Sequence, residues 1–128
     1  MKTVKRLMLI SALMMASSLA WSGEAVLVLS CEQGDDASED DVTAVVAEWL
    51  AEAKQVKGGE NLNAFAMFPV AATMGVYDLM VIITAPNFEE WGRFIDAYEG
   101  NEASEVDNKF ADTVICPDSA LWESLNAE

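Results

Sequence analysis

Two cysteines, Cys31 and Cys116, stand 85 residues apart in a chain of 128, and no third competes with them. If they bond, the beginning of the fold must lie against its end, and few topologies allow that. Whether they bond depends on the compartment, and the N-terminus speaks to it. "MKTVKR" carries Lys2, Lys5 and Arg6, and the 14 residues from Leu7 to Ala20 hold no charge. Ser18 and Ala20 place small residues at the third-last and last positions before a cut. The pattern predicts a secretory signal over residues 1–20, cleaved after Ala20. The apolar stretch is shorter than the ~20 residues a membrane span needs, and the polar "WSGE" follows it, so no stable membrane anchor is expected. Residues 21–128 are then a single domain, periplasmic or secreted, in surroundings where disulfides persist.

Removing the signal takes three of the seven basic residues and none of the 22 acidic ones. Four against 22 leaves a net charge of −18. Such a surface repels phosphate backbones and anionic lipids, so no nucleic-acid partner is expected. Histidine is absent. That excludes His-ligated haem, His-based zinc sites and Ser-His or Cys-His nucleophiles. Two thiols cannot alone make a four-thiolate centre. In "GDDASEDD", Gly34 to Asp41, the ligand spacing of a calcium loop is missing, and acids at a helix start account for it better. No glycine-rich phosphate loop follows a strand. The sequence thus implies no metal and no cofactor.

The remaining pattern alternates strand and helix. "AVLVLSC", Ala25 to Cys31, reads as a buried strand. Ser38 and Asp41 form a capping box. Val42, Val45, Val46, Trp49, Leu50 and Ala53 then recur at helical spacing, and Gly58-Gly59 ends the helix. A second strand is predicted over Asn61 to Val70, with Pro69 confined to an edge or an end. After the loop "AATMG", Val76 to Thr84 predicts a central strand, because its apolar stretch is unbroken. Asn87 with Glu90 caps a second helix whose stripe is Trp91, Phe94, Ile95 and Tyr98. Gly100-Asn101 interrupts it. A further helical stretch carries Val106, Phe110 and Val114, and a last strand starts near Cys116 and Pro117.

The order β-α-β-β-α-β, with right-handed crossovers, predicts an α+β ferredoxin-like fold. Its four-stranded antiparallel sheet has the order 4-1-3-2, with the helices on one face. There the first and fourth strands are antiparallel neighbours, so Cys31 at the end of one meets Cys116 at the start of the other. A disulfide is the best reading. Two buried free thiols are the alternative. A redox pair lacks the C-x-x-C spacing, and a lipid-modified Cys31 lacks a lipobox.

Alternation leaves apolar residues on both sheet faces. Met80 and Ile82 oppose Leu79, Val81 and Ile83; Val26 and Val28 oppose Leu27 and Leu29; Phe65 and Met67 oppose Ala64, Ala66 and Phe68. A face of that kind needs cover. A second copy supplies it in an isologous homodimer; the final strand or a long loop folded across it is the alternative.

"TAPNFEEWGRF", Thr84 to Phe94, resembles the strand-to-helix turn of the dimeric α/β-barrel superfamily. The end, with Cys116, Ser119, Leu121 and Trp122, resembles a secreted branch of it. The resemblance implies a barrel-like dimer. It also implies a site between sheet and helices where aromatic and amide groups orient a flat apolar molecule. The haem-using branches place a histidine on iron, so that part does not carry over. The candidate pocket residues are Trp49, Asn63, Phe65, Met67, Tyr77, Asp78 and Trp91. Trp49 and Trp91 also fit plain core packing. A buried Asp78 would serve as a base. The expected role is binding of a small apolar ligand without catalysis; the alternative is a cofactor-independent monooxygenase or isomerase acting on a small aromatic or apolar substrate.

Overall fold

The computed structural model describes residues 23–71, 77–99 and 104–126. The predicted signal segment, Met74 and Val76, and the Gly100-Asn101 interruption lie outside them. The elements run β1 (Glu24–Gln33), α1 (Glu39–Ala53), β2 (Asn63–Met67), β3 (Leu79–Ala85), α2 (Phe88–Glu99), α3 (Ser104–Thr113) and β4 (Val114–Ser124). The sheet order is β2-β3-β1-β4 with every pair antiparallel, the ferredoxin-like arrangement. Among the described residues no helix is long and apolar enough to cross a membrane.

Local chemistry starts the helices where the sequence places them. The Ser38 hydroxyl accepts the Asp41 N–H at 3.1 Å, and the Asp41 carboxylate accepts the Ser38 N–H at 2.9 Å. Both halves of the capping box are therefore made. At α2, the Glu90 N–H donates to Asn87 Oδ1 at 2.8 Å, while the Glu90 carboxylate takes the Asn87 and Asn61 side-chain amides instead of a backbone donor. Gly58 has φ +89°, and a Cβ there would sit 2.5 Å from the Phe94 amide nitrogen. The turn after α1 thus needs glycine both for its backbone and to let α2 approach.

Strand ends depart from expectation for identifiable reasons. β1 runs two residues past Cys31, because Asp78 accepts the Gln33 N–H at 3.1 Å and the Gly34 N–H donates to Thr113 O at 2.9 Å. β2 is shorter than Asn61–Val70: Leu62 donates back to Gly59 in a turn, and Pro69 has no donor to continue the ladder. β3 begins at Leu79, after Tyr77 and Asp78. Val114, expected on a helical stripe, opens β4 instead.

Cys31 and Cys116 are disulfide-bonded, with Cα atoms 4.0 Å apart. The register explains how. Ser30 pairs with Asp118 and Glu32 with Ile115, so Cys31 alone faces both Cys116 and Pro117 across a bulge. The bulge takes up a residue that cannot donate and turns its neighbour onto Cys31. Closing a loop of 85 residues stabilises the fold by about 4–5 kcal/mol in the chain-entropy account.

The core lies between the sheet and the helices. Val42, Val46 and Ala53 of α1 and Phe94 of α2 pack with Leu79, Val81, Ile83 and Ala85 of β3 and Cys31 of β1, all buried. The opposite sheet face is open. Across it run the rows Asn63–Thr84–Val26–Trp122, Phe65–Ile82–Val28–Ala120 and Met67–Met80–Ser30–Asp118. Ile82, at its centre, is buried; Phe65, Met67 and Trp122 are 42%, 44% and 61% exposed.

Candidate functional site

The helical stripe of α2 repeats at i, i+3, i+4 and i+7, so Trp91, Phe94, Ile95 and Tyr98 face one way. That way is toward the sheet. There they meet Leu27 and Leu29 of β1, Ile83 of β3, Trp49 of α1 and Phe110 of α3 around a cavity of about 190 Å³. Its walls are almost entirely apolar, and five of them are aromatic rings. Trp49 meets Phe94 edge-on, with centroids 6.1 Å apart at 86°, and meets Tyr98 at 6.2 Å and 63°. Phe94 in turn packs at 5.8 Å from Trp91 and 5.2 Å from Tyr98. These offset geometries suit ring quadrupoles and leave a slot between the helices and the sheet.

Two polar groups at the wall are already engaged. Trp49 Nε1–H donates to the Tyr98 hydroxyl oxygen at 3.2 Å, and the Tyr98 hydroxyl donates to Asp107 on α3. Burial, and then the hydrogen bond to Asp107, push the Tyr98 phenol up to about 12. The phenol is therefore neutral across any physiological pH, and the chain Trp49–Tyr98–Asp107 ties three helices together.

The seven pocket residues read from the sequence fall in different places. Trp49 and Trp91 stand on the cavity wall. Asn63, Phe65 and Met67 are on the open face of the sheet. Tyr77 joins Met67, Phe68, Pro69, Leu79 and Met80 around a second, more open hollow of about 260 Å³ at the end of β2 and β3. The Tyr77 hydroxyl donates to Asp118 across the sheet, and that bond, with burial second, raises its pKa. Asp78 is exposed and tied to the Gln33 amide. The structure does not bring Asn63 or Asp78 to the aromatic cavity.

Sequence reasoning assigned Phe94, Ile95, Tyr98 and Phe110 to helical stripes but not to a site. The signal that would have found them is the stripe itself: residues three, four and seven after Trp91 share its face. Leu27 and Leu29 carried no such signal, since any inward strand residue looks alike. Among the described residues no group of three or more His, Cys, Asp or Glu side chains is placed to hold a metal ion.

No family model matches the sequence, and no curated protein matches it. Solved structures do resemble the fold. A candidate chlorite dismutase superposes with a TM-score of 0.50 at 10% identity over 82% of this chain. The alignment covers 46% of that protein, so the present chain spans about half its length. A dimeric ferredoxin-like protein of unknown function from Bacteroides fragilis superposes with a TM-score of 0.44 at 11% identity, over 81% of this chain and 99% of its own. At such identities the likeness is one of fold.

Proposed function

We propose that this protein is a secreted or periplasmic homodimer that binds a small apolar ligand between its sheet and its helices. The aromatic cavity carries the reading. Cores normally close such space, because each unfilled gap costs contacts on its lining. A slot of about 190 Å³ between Trp49, Trp91 and Phe110 is comparable with apolar cavities of roughly 150 Å³ that take up a single ring. Its apolar lining, and the acidity of the whole chain, select for a ligand without negative charge.

Two further observations support the reading. The disulfide fits an oxidising compartment. The same sheet face, with Phe65 and Met67 exposed at one edge and Trp122 at the other, fits a second copy of itself. Binding is a better match than turnover. The Trp49 and Tyr98 polar groups are committed to each other and to Asp107, and the two side chains that could have acted on a substrate, Asn63 and Asp78, face elsewhere.

The test is a titration of the disulfide-bonded protein with nitrobenzene, a flat neutral quencher, followed by tryptophan fluorescence. The expected result is a saturable component from Trp49 and Trp91 above the linear collisional one. It should vanish in Ile95→Trp, which fills the slot. Purely linear quenching in the wild type would refute the reading.

A further inference from the structure

We infer that helix α3 is a lid on the aromatic cavity, latched by the Lys109–Glu48 ion pair and the Tyr98–Asp107 hydrogen bond. The inference rests on the ligand-binding reading above and adds how that site opens.

The helices over the sheet are not held alike. α1 buries Val42, Val45, Val46 and Ala53, so its place is fixed by apolar packing. α3 offers only Val106 and Phe110, both half-buried, and exposes Asn108, Lys109, Ala111 and Asp112. Its C-terminal end is anchored: Thr113 O accepts the Gly34 N–H at 2.9 Å, and β4 begins at the next residue without a loop. Beside the apolar contact of Phe110 with the core, two polar ties hold the helix to the body. Lys109 Nζ lies 2.9 Å from each carboxylate oxygen of Glu48 on α1, and Asp107 accepts the Tyr98 hydroxyl from α2.

Both ties lie just before Phe110, the ring this helix supplies to the cavity wall. Asp107 and Lys109 sit one turn or less from Phe110, so releasing them frees that ring. The ion pair is also a weak latch. The Lys109 and Glu48 side chains are 60% and 46% exposed, so water and salt screen the attraction. A helix with little buried apolar surface and a solvent-screened ion pair among its ties belongs to the part of a fold that opens first. Swinging about Thr113–Val114, it would carry Phe110 off the slot while α1, α2 and the sheet stay in place.

The test uses the full disulfide-bonded chain and nitrobenzene in stopped-flow fluorescence. Lys109→Gln and Glu48→Gln should each raise both the association and the dissociation rate about two- to fourfold, with their ratio unchanged. Sodium chloride should accelerate both rates in the wild type and not in Lys109→Gln. Rates indifferent to both substitutions would overturn the lid. Hydrogen exchange provides a readout without ligand. Amides of residues 104–113 should exchange faster in Lys109→Gln, with residues 39–53 unchanged; equal exchange in variant and wild type would overturn the lid as well. Absence of saturable nitrobenzene binding would count against the ligand reading, and the exchange result would still decide the lid.

Discussion

Tyr98 joins three helices through one oxygen: it accepts from Trp49 on α1, sits on α2 and donates to Asp107 on α3. Its pKa of about 12 lies above the ordinary phenol value of 10.0, so the folded state holds the proton more tightly than the unfolded chain. The sign follows. The stabilisation is complete below about pH 10 and is lost as pH rises through about 12. Ultraviolet titration of the phenolate band should show Tyr98 ionising at about 12, and Tyr98→Phe should remove that component. The same variant should lose thermal stability less steeply between pH 10 and 12. The tyrosine itself was legible, as the last member of the α2 stripe. Its partner was not. Asp107 lies on a polar helix, and nothing local separates an acid facing water from one accepting a buried hydroxyl.

At the scale of elements, what was legible is what short-range chemistry decides. Ser38 and Asp41 announce the start of α1 because capping needs only four consecutive residues. Backbone and then side-chain hydrogen bonds from Ser38 hold the Asp41 carboxyl below its ordinary 3.8. The contribution of that carboxylate is therefore complete above about pH 4 and is lost as pH falls below it. Ser38→Ala should cost about 1 kcal/mol in urea unfolding at neutral pH. The difference from wild type should persist in acid, because alanine keeps the backbone N–H that Asp41 accepts and loses only the hydroxyl that accepts the Asp41 N–H. Strand ends were read less well. β2 stops early at a proline it cannot use, β1 is prolonged by Asp78 from 45 residues away, and β4 recruits Val114 through a bond from Gly34. The last two of those endings are set by residues distant in sequence, which periodicity does not see.

For the whole molecule, strand order was legible because handed crossovers leave few ways to wind this alternation, and the cysteines sit where that winding makes neighbours. The cavity was not, since empty space is a difference between the volumes of many side chains. The open face was legible from period-two alternation, and pairing through it is directly testable. Phe65→Arg places a charge in the middle row, beside Ile82 and Val28, at a position that is exposed in the single chain. Sedimentation should show the wild type as a dimer at micromolar concentration and the variant as a monomer, with circular dichroism unchanged. A wild-type monomer would remove the homodimer. Beyond such a pair, β4 presents a border 11 residues long, the sort of rim along which one chain can add to another without end. The bulge beside the disulfide twists that rim away from flatness. The kink that lets the two sulfurs meet is thus also a stop against fibre growth.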